Sequence, residues 1–275
     1  MLSTSSRTLK VRILFFGNNW IGWQIAAWLC AQGEGIVGLV LHPPKQRKYA
    51  EEIVAGAGVD PSCIFDGSRL EEAEVIAAIK ALKPDIGVSA LFGYILRREV
   101  LELMPAGCIN VHPALLPYNK GAYPNVWSII EESPAGVTIH FIDNGIDTGD
   151  IIAQRQVTVE PVDTGETLYR KLERTAVDLF KETWPLVCSG QSPRLPQGKG
   201  EGTYHRVQDI EPIDKISLDQ TYTAKELINI IRARTFPPYA GAYFRHGRRK
   251  IYLRLQLLYE EEIKGKVNRK TNGGK

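Results

Sequence analysis

The sequence predicts an α/β protein: a doubly wound, mainly parallel sheet followed by a small α+β appendage. Three observations predict it. Short continuous apolar runs that end at glycine or proline read as strands buried on both faces. Stretches of helical apolar spacing alternate with those runs, as parallel crossovers require. Composition then shifts at Ser189 to Gly202, where Gly, Pro, Ser and Gln dominate, and a domain boundary is expected there.

Residues 1–10 are polar and expected to be disordered, 11–200 to form the main domain, 201–258 a C-terminal subdomain, and 259–275 a charged, disordered tail. Val11 to Phe16 is the first strand, stopping at Gly17, and Ile21 to Ala31 the first helix. Ile36 to Leu41 is the second strand, closed by Pro43-Pro44. Arg69 to Leu82 has helical spacing and precedes a third strand, Ile86 to Ala90. A helix over Arg97 to Leu103 gives way at Pro105-Ala106-Gly107 to a fourth strand, Cys108 to Val111. Val137 to Ile142 and Ile151 to Val157 are strands joined by a short Asn-Gly loop, and Thr164 to Cys188 is a closing helix. Beyond the boundary, Thr223 caps a helix to Arg234 with Glu226 three residues on, and Ile251 to Leu257 alternates like a strand after the His246-Gly247 turn. That piece is too small to stand alone and offers a surface for a homodimer.

Bulk properties narrow the function. A net charge of +3 is too small for a nucleic-acid or membrane surface, so small-molecule chemistry is expected. Cys30, Cys63, Cys108 and Cys188 are scattered, with neither a CxxC pair nor zinc spacing, and read as reduced residues with no metal site. The N-terminus has no apolar leader and no apolar run reaches about 18 residues, so the protein is expected in the cytoplasm.

Ligands of parallel sheets sit beyond the carboxyl ends of the strands, and Asn110, Val111 and His112 lie at such an end. The following PALLPYNKG, Pro113 to Gly121, fixes a loop there. Asp143 to Asp150 packs three carboxylates and two glycines into one connection that can aim a carboxylate back at the histidine. An Asn amide to bind an oxyanion, an imidazole to share that charge or carry protons, and an Asp to orient it suit acyl transfer to an amine, which needs no activated Ser or Cys. Taken alone, His112 before a proline and Asn110 at a strand end read as structural residues; with Asp147 they read as a catalytic trio. Asp143 and Asp150 read as braces of their loop. His140 alternates with Ile139 and Phe141 and reads as structural, and His42, His205 and His246 have no supporting constellation.

The blocks INVHPALLPYNKG and GVTIHFIDNGIDTGDII closely resemble the core of the 10-formyltetrahydrofolate-dependent formyltransferases over roughly residues 11 to 190. That resemblance implies a Rossmann-like core, 10-formyltetrahydrofolate as co-substrate, and Asn110, His112 and Asp147 as catalytic residues. It also places Phe92, Gly93, Tyr94, Ile95 and Leu96 in a pterin-binding loop that works through backbone groups. Asp143, Asn144 and Ile146 would close the other side of the pocket.

The acceptor is a separate question. The stretch YNKGAYPNVWS resembles the acceptor loop of enzymes that formylate nucleotide-linked amino sugars, making Tyr118, Asn119, Lys120 and Tyr123 candidate contacts. Asn18 and Trp20 in the opening turn could hold a sugar. Lys45, with Arg47 and Lys48, reads either as a solvated charge run or as a partner for a diphosphate. The expected acceptor is a dTDP-linked 3-amino- or 4-amino-dideoxyhexose for surface polysaccharide synthesis. Length points between the purine-pathway and tRNA members. A methionyl-tRNA formyltransferase, a formyltetrahydrofolate hydrolase and a non-catalytic binding module are the alternatives.

Overall fold

The computed structural model describes residues 10–198, 200 and 202–264, so the disorder expected for the termini falls mostly outside the described residues; 260–264 form a helical turn. Seven strands make the main sheet in the order β3-β2-β1-β4-β5-β7-β8. Strands β1 (Arg12–Gly17), β2 (Gly35–Leu41), β3 (Ile64–Asp66), β4 (Ile86–Ala90) and β5 (Cys108–His112) run parallel. Strands β7 (Ala135–Phe141) and β8 (Ile151–Val157) add an antiparallel edge, and the two-residue β6 (Lys120–Gly121) lies outside the sheet.

The unbroken apolar run of β1 follows from helices covering both faces. Ile13 and Phe15 point into one cluster with Ile21, Ile25 and Leu29 of α1 (Asn19–Ala31) and Leu168, Leu172 and Phe180 of α6 (Gly165–Cys188). Leu14 and Phe16 point into the other, with Val75 and Ile79 of α3 (Ala73–Ala81) and Val100 of α4 (Arg98–Leu101). All four β1 side chains are fully buried, each worth about 1.5–3 kcal/mol relative to exposure. The expected helix over 69–82 starts later, because Gly67–Arg69 form a separate 3-10 turn capped by Asp66.

Three elements carry no strong sequence signal. Helix α2 (Ala50–Ala57) is short, β3 has three residues, and α5 (Pro124–Ile130) buries six of its seven residues and so shows no amphipathic period. Pro124 at the first helical position sets the start of α5.

Past α6, β9 (Tyr204–His205) pairs in parallel with β6, and α7 (Ile210–Asp214) and α8 (Ala224–Ala233) follow. The Thr223–Glu226 capping box forms as the sequence suggests. The expected strand over 251–257 is shorter and shifted: β11 (Arg249–Tyr252) pairs with β10 (Tyr243–His246), and the alternation beyond Tyr252 belongs to irregular chain. Buried Arg232 of α8 holds this region to the main domain by donating to the carbonyls of Glu160 and Asp163, at 3.1 and 3.0 Å. Among the described residues no helix is long and apolar enough to cross a membrane.

Candidate active site

Residues two apart in a strand share a face, so Asn110 and His112 leave the end of β5 together. Antiparallel pairing with β7 then sets His140 directly opposite Asn110. The loop from Ile142 to Asp150 returns to the same place and delivers Asp147. That loop is compressed: a Cβ on Gly149 would lie 1.9 Å from the Phe141 carbonyl oxygen, and Asp147 has a left-handed backbone, φ 53°. Asp143 braces it by accepting from the Gly145 N–H and the Thr148 hydroxyl.

Asp147 is the hub. Its Oδ2 accepts from the Gly121 N–H at 2.9 Å and lies 3.6 Å from His112 Nε2; its Oδ1 lies 3.4 Å from both Asn110 Nδ2 and His140 Nε2. Ser89, at the end of β4, donates to Asn110 Oδ1 at 2.9 Å. The carboxylate on one side and the hydroxyl on the other orient the amide with its NH2 toward Asp147; the same nitrogen lies 3.3 Å from His140 Nε2, whose ring donates from Nδ1 to the Phe141 carbonyl, so both N–H groups have partners. His112 Nε2–H donates to the Asn119 carbonyl at 3.2 Å.

Burial pushes the Asp147 carboxyl up, but the His112 and His140 imidazoles and the Gly121 N–H outweigh it, and the group lies well below the usual carboxylate range. Burial pulls His112 below the ordinary imidazole value, against the attraction of Asp147. At neutral pH the site therefore holds an ionised carboxylate beside a neutral imidazole, a hydrogen-bond donor and proton acceptor in a largely dry setting.

A cleft of about 1440 Å³ opens over these groups, beyond the ends of β4 and β5. On one side lie Phe92 to Leu96, with Asp143 and Ile146 across from them. His42 Nε2 accepts from the Gly93 N–H at 2.9 Å, and its ring packs edge-on to Phe92 and Tyr94. Gly93 is thus engaged inside the protein, while Ile95 is 70% exposed. The lining also holds Lys48, Tyr169, Arg170, Arg234, Phe236 and Tyr239; Lys48 donates to the Tyr239 hydroxyl at 2.9 Å, and Asn19 to the Tyr169 hydroxyl at 2.9 Å.

The expected site residues divide accordingly. The trio, Phe92 to Leu96, Asp143, Ile146 and Tyr123 all line the cleft. Asn144, Asn18, Trp20, Lys45, Tyr118, Asn119 and Lys120 do not. Asn18 is engaged between the Lys48 N–H and His42, and Trp20 packs on the core. Asn119 is fully buried, its amide donating to Ser128 and Ser133, so its role is to hold its own loop. Lys120 lies in β6, and exposed Lys45 gives its expected place to Lys48. His140 was legible only as a strand residue; its pairing with Asn110 is a long-range register that periodicity does not reveal. Ser89, His42 and the lining residues Tyr169, Arg170, Arg234, Phe236 and Tyr239 carried no functional signal either, whereas Lys48 was named with Lys45 and Arg47. Among the described residues no group of three or more His, Cys, Asp or Glu is arranged to hold a metal ion.

A family model described as formyl transferase matches residues 27–183, and one described as the N-formyltransferase dimerization C-terminal domain matches 209–259. The methionyl-tRNA formyltransferase of Symbiobacterium thermophilum is 35% identical over 253 residues, covering 88% of this chain and 75% of that protein. The crystal structure of a 4-N formyltransferase from Francisella tularensis matches with a TM-score of 0.77 at 27% identity, over 90% of this chain and 98% of that one. The formyltransferase PseJ from Anoxybacillus kamchatkensis, solved with UDP-4,6-dideoxy-4-formamido-L-AltNAc and tetrahydrofolate, matches with a TM-score of 0.56 at 32% identity, over 73% and 88% of the two chains.

Proposed function

The chain belongs to the formyl transferase family, and from that premise we propose that it moves a formyl group from 10-formyltetrahydrofolate to the amine of a nucleotide-linked amino sugar. The observation that carries this reading is the grouping of Asn110, His112, His140 and Asp147 at the floor of one cleft with two unlike sets of lining residues. The wall of Phe92 to Leu96, apolar and exposing main chain, fits a pterin; Asp143 and Ile146 fit its other side. The co-substrate supplies the formyl carbon on a nitrogen leaving group. The Asn110 N–H that meets His140 can exchange that partner for the substrate, and with the His112 imidazole it is suited to stabilise the oxyanion that forms as the amine attacks, a contribution of about 10²–10³-fold per donor. Neutral His112 is suited to take the proton the amine loses, and the Asp147 carboxylate to hold the resulting imidazolium.

The lining set of Lys48, Arg170, Arg234, Phe236 and Tyr239 offers cations for a diphosphate and aromatic rings for a sugar or base. Support for the sugar comes from the PseJ complex, which was solved with UDP-4,6-dideoxy-4-formamido-L-AltNAc. The opposing observation is the 35% identity to a methionyl-tRNA formyltransferase, which favours a tRNA-borne amine as the second reading. The β10–β11 hairpin, with Ile251 and Tyr252 exposed, is the proposed homodimer surface.

Incubating the protein with 10-formyltetrahydrofolate and a panel of dTDP-, UDP- and GDP-linked 3-amino and 4-amino sugars tests the reading. A formyl mass gain on a nucleotide sugar is the expected result. Gain on initiator methionyl-tRNA alone would transfer the assignment to the tRNA enzymes, and formate release without any acceptor would make the protein a hydrolase.

A further inference from the structure

We infer that Gln197 is a positioning residue, whose side-chain amide clamps the backbone on both sides of Thr148 and thereby holds Asp147 in its working conformation; the catalytic part of this inference rests on the function proposed above. Gln197 Nε2 donates to the Asp147 carbonyl at 2.9 Å and to the Gly149 carbonyl at 2.8 Å. Both partners are pure acceptors, so the amide has one possible orientation and both its N–H groups are engaged. Among the described residues the oxygen of the same amide is buried without a partner. A buried acceptor left unmet is a cost, and the two bonds made by the nitrogen offset it.

The clamp acts where the backbone needs it. Asp147 is a non-glycine residue at φ 53°, in a loop with no room for a Cβ on Gly149, so its conformation is held by its surroundings. Gln197 is itself fixed, because Leu195 exchanges two backbone hydrogen bonds with Ile151 at the start of β8, at 2.8 and 3.0 Å. Further along the same strap, the Thr203 hydroxyl accepts from the Asn119 N–H, and Tyr204–His205 pair with Lys120–Gly121. Gly121 is the residue whose N–H holds the Asp147 carboxylate. The connection between the two domains thus holds Asp147 twice, its main chain through Gln197 and its carboxylate through the β6–β9 pair.

The experiment uses the full-length protein with Gln197→Ala and the isosteric Gln197→Glu, which faces both carbonyls with oxygen, each alone and with Asp147→Asn. Two readouts are taken. Hydrogen exchange of the peptide spanning 142–150 should be faster in both single variants without any substrate. With 10-formyltetrahydrofolate and a dTDP-linked 4-amino sugar, each should lower kcat about tenfold, move the acid limb of kcat/KM to higher pH as Asp147 leaves its donors, and have less than about a twofold effect in the Asp147→Asn background. Unchanged exchange, an unmoved pH profile, or the same loss in both backgrounds would overturn the inference. A wild type that leaves the sugar unformylated counts against the proposed acceptor, and the exchange measurement still decides the clamp. If Gln197→Ala does not fold, Gln197→Glu, which keeps the shape, decides alone.

Discussion

Replacing Asp147 with Asn changes one oxygen to NH2 at the point where two N–H donors and two imidazoles converge. The Gly121 N–H and Asn110 Nδ2 approach different carboxylate oxygens, at 2.9 and 3.4 Å, and neither can accept. Whichever way the new amide turns, one of them faces an NH2 group. A donor stranded in this largely buried site costs about 1–3 kcal/mol, which for a chain of this size lowers Tm by about 2–12 °C. The effect on catalysis is larger, because an amide cannot hold an imidazolium at His112. The expected loss in kcat is about 10²–10⁴-fold, or about 2.7–5.5 kcal/mol of barrier. Formyl transfer followed by mass spectrometry across folate concentrations separates kcat from KM, and differential scanning calorimetry gives Tm. A kcat within about threefold of wild type would refute a role for the charge, and an unchanged Tm would refute the donor count. The substitution also alters acid unfolding. The native carboxyl lies below its unfolded value, so its stabilisation is present above about pH 3.9 and lost as the pH falls further; the variant lacks that component.

Three other substitutions separate the parts of the site. His42→Ala removes the acceptor for the Gly93 N–H and should raise the KM for 10-formyltetrahydrofolate about fivefold with little change in kcat. Because burial lowers the His42 pKa, the wild-type bond is intact above about pH 6.5 and is lost as acid protonates the ring, so donor affinity, measured by titration calorimetry, should weaken toward pH 5 in wild type but not in the variant. Ser89→Ala frees Asn110 Oδ1 from its donor and should lower kcat about tenfold at unchanged donor KM, read from initial rates. Gly149→Ala places a methyl against the Phe141 carbonyl and should cost about 1–3 kcal/mol and displace Asp147, seen as a lower Tm together with a lower kcat.

The parallel half of the sheet was legible because strands buried on both faces cannot carry polar residues, so β1, β4 and β5 stand out as apolar runs. The grouping of Asn110, His112 and Asp147 was legible only from the two motif blocks together, because either strand-end residue alone reads as structural. What stayed hidden depends on contacts distant in sequence. His140 is one polar residue in a strand until the β5–β7 register sets it against Asn110. Asn119 lay in a loop that resembles an acceptor-binding segment, yet its amide is turned inward to Ser128 and Ser133. Helix α5 was hidden because burial on all sides erases the periodicity by which a helix is read.

The lining of the cleft draws on two parts of the chain. The chemistry sits on strand ends of the first domain, whereas Tyr204 to Gln208 and Ala233 to Ala240, which face it, come from the region after the connection. On the proposed function, a mutation among the strand ends is expected to alter kcat for every acceptor, and one in the later segments to alter KM for the acceptor alone, which initial rates with two acceptors would separate. The protein is thereby divided into an inherited engine and an exchangeable entrance. Acceptor preference can drift through the second while the first is held constant, which fits two relatives, one named a methionyl-tRNA formyltransferase and the other solved with a UDP-linked formamido sugar.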